Sequence, residues 1–246
     1  CESLKQIEIP SSVKLIQCGA FFGCKSLSQV SFSSSLVRIE DQAFYQCISL
    51  KQIIFPSSSS LLSIGTNTFT FCISLEQISI PNSVKSIGSG AFKECKSLSQ
   101  IEIPSSITTI ENYVFIRCTS LAQITLPSSV TTIKKIAFYG CTSLTQITLP
   151  SVTTIEEYAF SECRSLAQII LPSSVTTIEE YAFNGCTSLT QMTIPSSITT
   201  IKKYVFYGCS SLTQVSLPSS VTTIEEYAFS ECRSLAQINL PSSVTT

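Results

Sequence analysis

The chain contains no histidine, no tryptophan and one methionine. Without histidine it lacks the side chain that most often acts as a general base near neutral pH, and the commonest zinc ligand. Charge is scarce as well: Asp, Glu, Lys and Arg make up 13% of the 246 residues, about half the usual share. Fifteen basic side chains against sixteen acidic ones leave a net charge of −1. No overall field therefore draws the chain to nucleic acid or to an anionic membrane. No apolar run approaches the roughly 18 residues of a spanning helix, and no stretch reads as a signal peptide. The chain opens on "CESL" and closes on "PSSVTT", both inside a repeating pattern. It is expected to be a piece of a longer array.

What the chain does have is repetition. Hydrophobic residues make up 43% of it, and Ser, Thr and Gln supply most of the polar surface. Eleven of the twelve cysteines fall at 1, 24, 47, 72, 95, 118, 141, 163, 186, 209 and 232, in steps of 23 apart from one of 25 and one of 22. Both exceptions sit in the Pro-Ser turn. "PSSSSLLSI" from Pro56 carries two extra residues, and "PSVTTI" from Pro150 lacks one serine. Surface coil tolerates such changes. The unit reads C-x-S-L-x-Q-I-x-(I/L)-P-S-S-V-x-x-I-x-x-x-A-F, giving ten complete units and the start of an eleventh. "VTTIEEYAFSECRSLAQI" occurs twice, 69 residues apart, as duplication of a three-unit block would leave it.

A period of this length predicts a solenoid, because one unit cannot bury its apolar face alone whereas stacked units can. "SLTQITL" (Ser143 to Leu149) alternates with period 2, so Ile147 and Leu149 point inward while Gln146 and Thr148 point outward. Proline follows in ten of the eleven units, with Ser33 in the second. Lacking an N–H, it ends the strand. Val152, Ile155, Ala159 and Phe160 form a second inward set. "AFSEC" is expected to return the chain by a tight helical or 3₁₀ turn. The predicted fold class is a right-handed parallel β-solenoid of about 23-residue rungs with short 3₁₀ or helical turns and little regular α-helix, residues 1–246 forming one array of ten complete repeats and a partial one.

The strand segment L-x-x-I-x-(I/L), as in "LAQITL" (Leu121 to Leu126), is similar to that of leucine-rich repeats. With its continuation P-S-S-V-x-x-I-x-x-x-A-F-x-x-C-x-S-L, the whole chain resembles the BspA-like class of that superfamily. The resemblance implies a parallel solenoid with short turns on its outer face. It also implies a module of the kind that bacteria and protozoa display on their surfaces to adhere to host proteins such as fibronectin and fibrinogen. The class has no catalytic motif, so no catalytic residue, cofactor or metal ligand carries over. Ser33 for proline, and Gly65 and Gly88 where later units carry charge, are the departures.

A cysteine every 23 residues lacks the close pairs of a zinc site. A catalytic thiol would need a base and an open, electropositive setting. Two readings stand. Equivalent cysteines on adjacent rungs lie within reach of a disulfide, at about 4.8 Å, but their parallel side chains suit its dihedral poorly. The favoured reading is a column of buried free thiols filling a narrow corner behind the phenylalanine. Cys18 stands apart, at the position of Glu157 on the outer wall, and is expected to be exposed.

Glutamine recurs at the same outward place in every strand. Its amides are expected to bond rung to rung as a ladder; the alternative is a polar floor for a partner. Two residues on lies a variable column of hydroxyl, carboxyl and apolar side chains. The candidate binding face is therefore Gln100, Glu102, Gln123, Thr125, Gln146, Thr148, Gln168, Ile170, Gln191, Thr193, Gln214 and Ser216, whose mild character suits a protein or glycan better than phosphate. On the outer wall, charges alternate in blocks: Glu111, Lys134-Lys135, Glu156-Glu157, Glu179-Glu180, Lys202-Lys203, Glu225-Glu226. Adjacent Lys and Glu rungs should attract, and Glu156 and Glu179 should repel. Each lysine pair is flanked by acidic rungs, which disfavours a nucleic-acid site. The Thr-Thr pairs resemble ice-binding arrays only loosely, since adjacent residues point to opposite sides. The expected function is a non-enzymatic protein-binding or adhesion module on a cell surface, engaging a host or matrix protein, with no nucleic acid and no membrane insertion. An intracellular scaffold that docks a protein partner is the alternative.

Overall fold

Each Gln-centred segment is extended, as its alternation requires. The computed structural model, which describes residues 1–244, has strands at Gln6–Glu8, Gln29–Ser31, Gln52–Ile54, Gln77–Ser79, Gln100–Glu102, Gln123–Thr125, Gln146–Thr148, Gln191–Thr193 and Gln214–Ser216. Pairing is parallel and in register by one unit: Gln6 lies opposite Gln29, Gln29 opposite Gln52, and Gln123 opposite Gln146. Only the middle of the expected "SLTQITL" strand pairs. Leu144 before it is held in a turn, its N–H donating to the Cys141 carbonyl at 3.0 Å, and Pro150 ends it on the other side.

A second wall runs through two-residue strands such as Thr109–Ile110, Thr132–Ile133, Thr154–Ile155 and Thr177–Ile178, again paired in register. Val152, Ile155, Ala159 and Phe160 are all fully buried, as their spacing predicts.

The third wall differs from expectation. No α- or 3₁₀-helix occurs among the described residues; "YAFSEC" is a run of overlapping β-turns. Ala159 N–H donates to Glu156 O, Ser161 N–H to Tyr158 O and Cys163 N–H to Phe160 O. The intervening amides of Tyr158, Phe160 and Glu162 donate instead to Glu180, Ala182 and Asn184 of the next rung, at 3.2, 2.8 and 2.7 Å. That alternation requires left-handed backbone at two places, Tyr158 (φ 57) and Glu162 (φ 61). A helix would keep φ negative and turn every amide inward along its own axis. Bonding to the neighbouring rung excludes it.

Phenylalanines 21, 44, 69, 92, 115, 138, 160, 183, 206 and 229 form a continuous stack, with ring centroids 5.0 to 5.8 Å apart and planes within 21°. Leucines from Leu27 to Leu212 fill the space beside them and are fully buried. Short hydroxyl side chains extend the inter-rung bonding beyond the strands. Thr145 donates to Ala122 O at 3.1 Å, Ser174 to Val152 O at 2.8 Å, and Thr187 to Arg164 O at 3.2 Å. Thr153 on the second wall donates likewise to Thr131 O. The first hydroxyl of the Thr131, Thr153, Thr176 and Thr222 pairs, which an ice-binding array would present to water, is thus engaged with the backbone.

All twelve cysteines are free, ten of them buried and only Cys1 and Cys18 exposed. The favoured reading of the column therefore holds, and the structure adds the reason for sulfur. From Cys47 to Cys232 each thiol donates to the carbonyl of the phenylalanine one rung back, at 3.1 to 3.2 Å. Phe115 O, for example, accepts both Cys118 N–H at 3.0 Å and Cys141 Sγ–H at 3.1 Å. A thiol is small and apolar enough for the corner yet satisfies the carbonyl's second lone pair, which alanine or valine could not do. Burial pushes the thiols of Cys47 and Cys141 up to about 12 and that of Cys232 up to about 11, and raises Cys72, Cys95, Cys118 and Cys163 well above the ordinary value. Protonated and buried, they are donors and not nucleophiles.

Phe138 touches its neighbours Phe115 and Phe160 at 5.3 Å on both sides. Replacing it with alanine opens a cavity inside the stack, and Phe138→Ala is expected to lower stability by about 3–5 kcal/mol, read as a drop in the melting temperature. For the thiols, a thiol-reactive dye applied to the native protein should label Cys1 and Cys18 rapidly. The other ten should react only once denaturant is added, and raising the pH to 9 should not release them from the native fold. Rapid native labelling of more than two cysteines would contradict the buried column.

Candidate functional site

The twelve side chains of the candidate face, Gln100 through Ser216, are all exposed, and they lie on the same wall of the solenoid. The residues between them, Ile101, Ile124, Ile147, Ile169, Met192 and Val215, are buried. Alternation along each strand and in-register pairing between strands together align the glutamines in one column and the variable residues in a second. The expected amide ladder is not formed: among the described residues no glutamine side chain hydrogen-bonds to the glutamine of the next rung. Water competes well for an exposed primary amide, and the hydroxyls and backbone already join the rungs. The glutamines are left as free donors and acceptors on a polar floor.

The wall is not a continuous sheet. Its strands pair as one group of three and three groups of two, and residues 168–170 form no strand. Two hollows straddle two of these interruptions. One, of about 640 Å³, spans the break between Gln100–Glu102 and Gln123–Thr125; its rim carries Gln77, Ser79, Glu102 and Pro127. The other, of about 520 Å³, surrounds the unpaired rung and is lined by Gln146, Thr148, Gln168, Ile170, Pro150 and Pro172. Ile170 is 84% exposed there, in a column otherwise occupied mainly by hydroxyls. A large apolar side chain so exposed and rimmed by polar groups is a feature of interaction sites.

Charge divides the same wall. Lys5, Glu8, Lys51, Glu76 and Glu102 lie on its first five rungs. The residue before each later glutamine is Ala122, Thr145, Ala167, Thr190, Thr213 or Ala236, and the residue two beyond is Thr125, Thr148, Ile170, Thr193, Ser216 or Asn239. From Ala122 onward these outward columns carry no ionisable group. The first hollow offers one carboxylate, Glu102; the second offers amides, hydroxyls and an isoleucine.

The outer wall forms its predicted Lys–Glu pairs at three rung junctions, while among the described residues none joins Lys202-Lys203 to Glu179-Glu180. Lys134 pairs with Glu111 at 2.8 Å, Lys135 with Glu157 at 3.0 Å and Lys203 with Glu226 at 2.7 Å. The hydrogen-bonded Glu226 carboxylate raises the Lys203 ammonium, and the lysine in turn lowers Glu226. These groups are solvent-exposed, so they add little to stability. Cys18 lies exposed on this wall, as expected, its N–H donating to Glu40 at 3.1 Å. Among the described residues, no three cysteine or carboxylate side chains gather so as to hold a metal ion, and no helix is long and apolar enough to cross a membrane.

Sequence reasoning passed over two features. Glu94 is a nearly buried carboxylate that pairs with Arg117 at 3.2 Å and Lys96 at 3.6 Å. Tyr158, Tyr181, Tyr204 and Tyr227 stack in a column of their own, with centroids 4.5, 4.7 and 4.9 Å apart. Burial, followed by the neighbouring tyrosine, raises the Tyr158 phenol. The recurrence of "EEYAF" and "KKYVF" at the repeat spacing was the available signal for the second.

The model of the BspA type leucine-rich repeat region matches residues 1–82, 57–167 and 131–246, in six copies. Among solved structures, a leucine-rich repeat protein of Bacteroides ovatus is 29% identical, with a TM-score of 0.82 over 100% of this chain and 75% of its own. A leucine rich cell surface protein of Faecalibacterium prausnitzii is 28% identical (TM-score 0.54), covering 95% of this chain and 87% of its own. The leucine-rich repeat protein of T. pallidum is 30% identical (TM-score 0.54) over 76% and 78%. No curated protein matches. The matched repeats run the length of the chain, and the chain therefore belongs to the BspA-type leucine-rich repeat family.

Proposed function

We propose that this solenoid is a non-enzymatic binding module, displayed on a cell surface, that engages a host or matrix protein through its Gln-strand wall. The observation that carries the reading is the coincidence of the two hollows with the variable column of that wall, centred on Glu102 and on Ile170. A relative described as a cell surface protein supports the placement. The buried thiols serve as hydrogen-bond donors within the core, and the wall offers what recognition needs. A rigid scaffold holds unpaired amides and hydroxyls at strand spacing around one apolar anchor.

The test replaces Gln123, Thr125, Gln146 and Thr148 together by glutamate, introducing two carboxylates into the lining of each hollow without touching a buried residue. Binding to immobilised fibronectin and fibrinogen is then measured against the unaltered protein. An interface on this wall is expected to lose roughly a hundredfold in affinity, because like charges and unpaired carboxylates cost several kcal/mol at a contact. Equal binding by a variant with an unchanged melting temperature, or no binding of either protein by the unaltered chain, would overturn the assignment.

A further inference from the structure

The tyrosine column stands where the backbone least favours it. Tyr113, Tyr158, Tyr181, Tyr204 and Tyr227 have φ between 57 and 62, the left-handed region. Other rungs place Gly19, Gln42, Asn67, Gly90 and Ile136 at the same position; glycine and asparagine accept that conformation readily, and tyrosine holds it without interruption only from Tyr158 onward. A bulky side chain there is held in strained backbone. Burial does not account for the choice: Tyr227 is 57% exposed and Tyr113 42%, and the rings between are half-buried. From Tyr158 to Tyr227 the planes lie within 12° of parallel. Each ring covers its neighbour's face, so what reaches solvent is a stiff strip of ring edges and hydroxyls. Tyrosine is favoured at protein interfaces for this combination of apolar area, polar tip and small entropy loss.

Charge along the chain is segregated around that strip. Residues 1–155 carry eleven Lys and Arg against eight Asp and Glu, whereas residues 156–246 carry eight Glu against four Lys and Arg. The net charge of −1 conceals a basic and an acidic end. Immediately before the tyrosines stand Glu157, Glu180, Lys203 and Glu226. Glu157 and Glu226 are paired with lysines; Glu179 and Glu180 make no ion pair among the described residues. Carboxylates without a direct ion pair thus lie beside Tyr158 and Tyr181, the closest pair in the column at 4.5 Å, while Lys203 one rung on lies over the Tyr204 ring at 5.7 Å and within the field of Glu180.

We infer that the tyrosine strip from Tyr158 to Tyr227 is a second docking surface, for a basic segment of a partner protein. The aliphatic stems of its Lys or Arg side chains lie along the ring edges, and their charged heads pair with Glu179 and Glu180. This surface is on a different wall from the Gln-strand site and stands or falls independently of it.

A short Arg-Gly repeat peptide and its Glu-Gly counterpart serve as probes, measured by fluorescence anisotropy at low and physiological salt. The Arg peptide is expected to bind and the Glu peptide not. Tyr181→Gly with Tyr204→Gly removes the strip while relieving the backbone, and leaves every charge in place; it should weaken binding by roughly tenfold or more. Glu179→Gln with Glu180→Gln should do the same. Deuterium exchange on the unaltered protein supplies a readout that needs no variant, with protection expected around residues 179–181 and 202–204 and none on the Gln-strand wall. Unchanged Arg-peptide binding by the folded tyrosine variant, equal binding of the two peptides, or protection elsewhere would overturn the inference. The four-glutamate variant of the Gln-strand wall should bind the Arg peptide at least as well as the unaltered protein.

Discussion

Every wall of this molecule depends on one constraint, that each rung must hydrogen-bond to the next at a spacing of one repeat. In the short strands the backbone does this directly, but strands occupy only a few residues per rung. Elsewhere the same link is made by turn amides that point along the stack, by serine and threonine hydroxyls that reach the preceding rung's carbonyls, and by thiols that reach the phenylalanine carbonyls. Each such bond contributes about 0.5–1.5 kcal/mol net. Repetition makes the total substantial, and a misplaced residue is felt by two neighbours.

The unusual composition follows from that constraint. Short hydroxyl side chains can bond to an adjacent backbone, whereas long charged ones cannot do so without folding back. Hence a surface rich in Ser and Thr and poor in charge. Cysteine serves the same purpose inside, where a hydroxyl would be harder to desolvate. The cost appears in the turns, where two residues of each rung adopt positive φ and most are not glycine: Tyr158, Glu162, Ile136 and Arg117 among them. Stacking of like on like offsets part of that strain, through the phenyl rings within and the phenol rings at the surface.

Much of this was legible before the fold was known. The period, the inward set Val152, Ile155, Ala159 and Phe160, the free buried thiols and the Lys–Glu pairs across rungs all follow from residue type at a repeated spacing. The turn was not legible as drawn. "AFSEC" reads as helical because its alanine and glutamate are good helix formers, yet its amides answer to the next rung, which a local reading does not see. The glutamine ladder was misread for a related reason, since register brings the amides close without making them partners. Neither the breaks in the Gln-strand wall nor the exposure of Ile170 has any counterpart in the repeat pattern.

By itself, then, the sequence determined what periodicity can encode: the rung, its inward and outward faces, the columns formed when rungs stack, and the family to which the chain belongs. Those properties are local or translational, and a 23-residue repeat contains them all. Tertiary structure decided where the Gln-strand ladder breaks, which columns remain exposed, what each thiol donates to, and that four tyrosines share an edge in strained backbone. These depend on distances between residues 23 or more apart, set by the packing of neighbouring rungs, and only the folded stack supplies them.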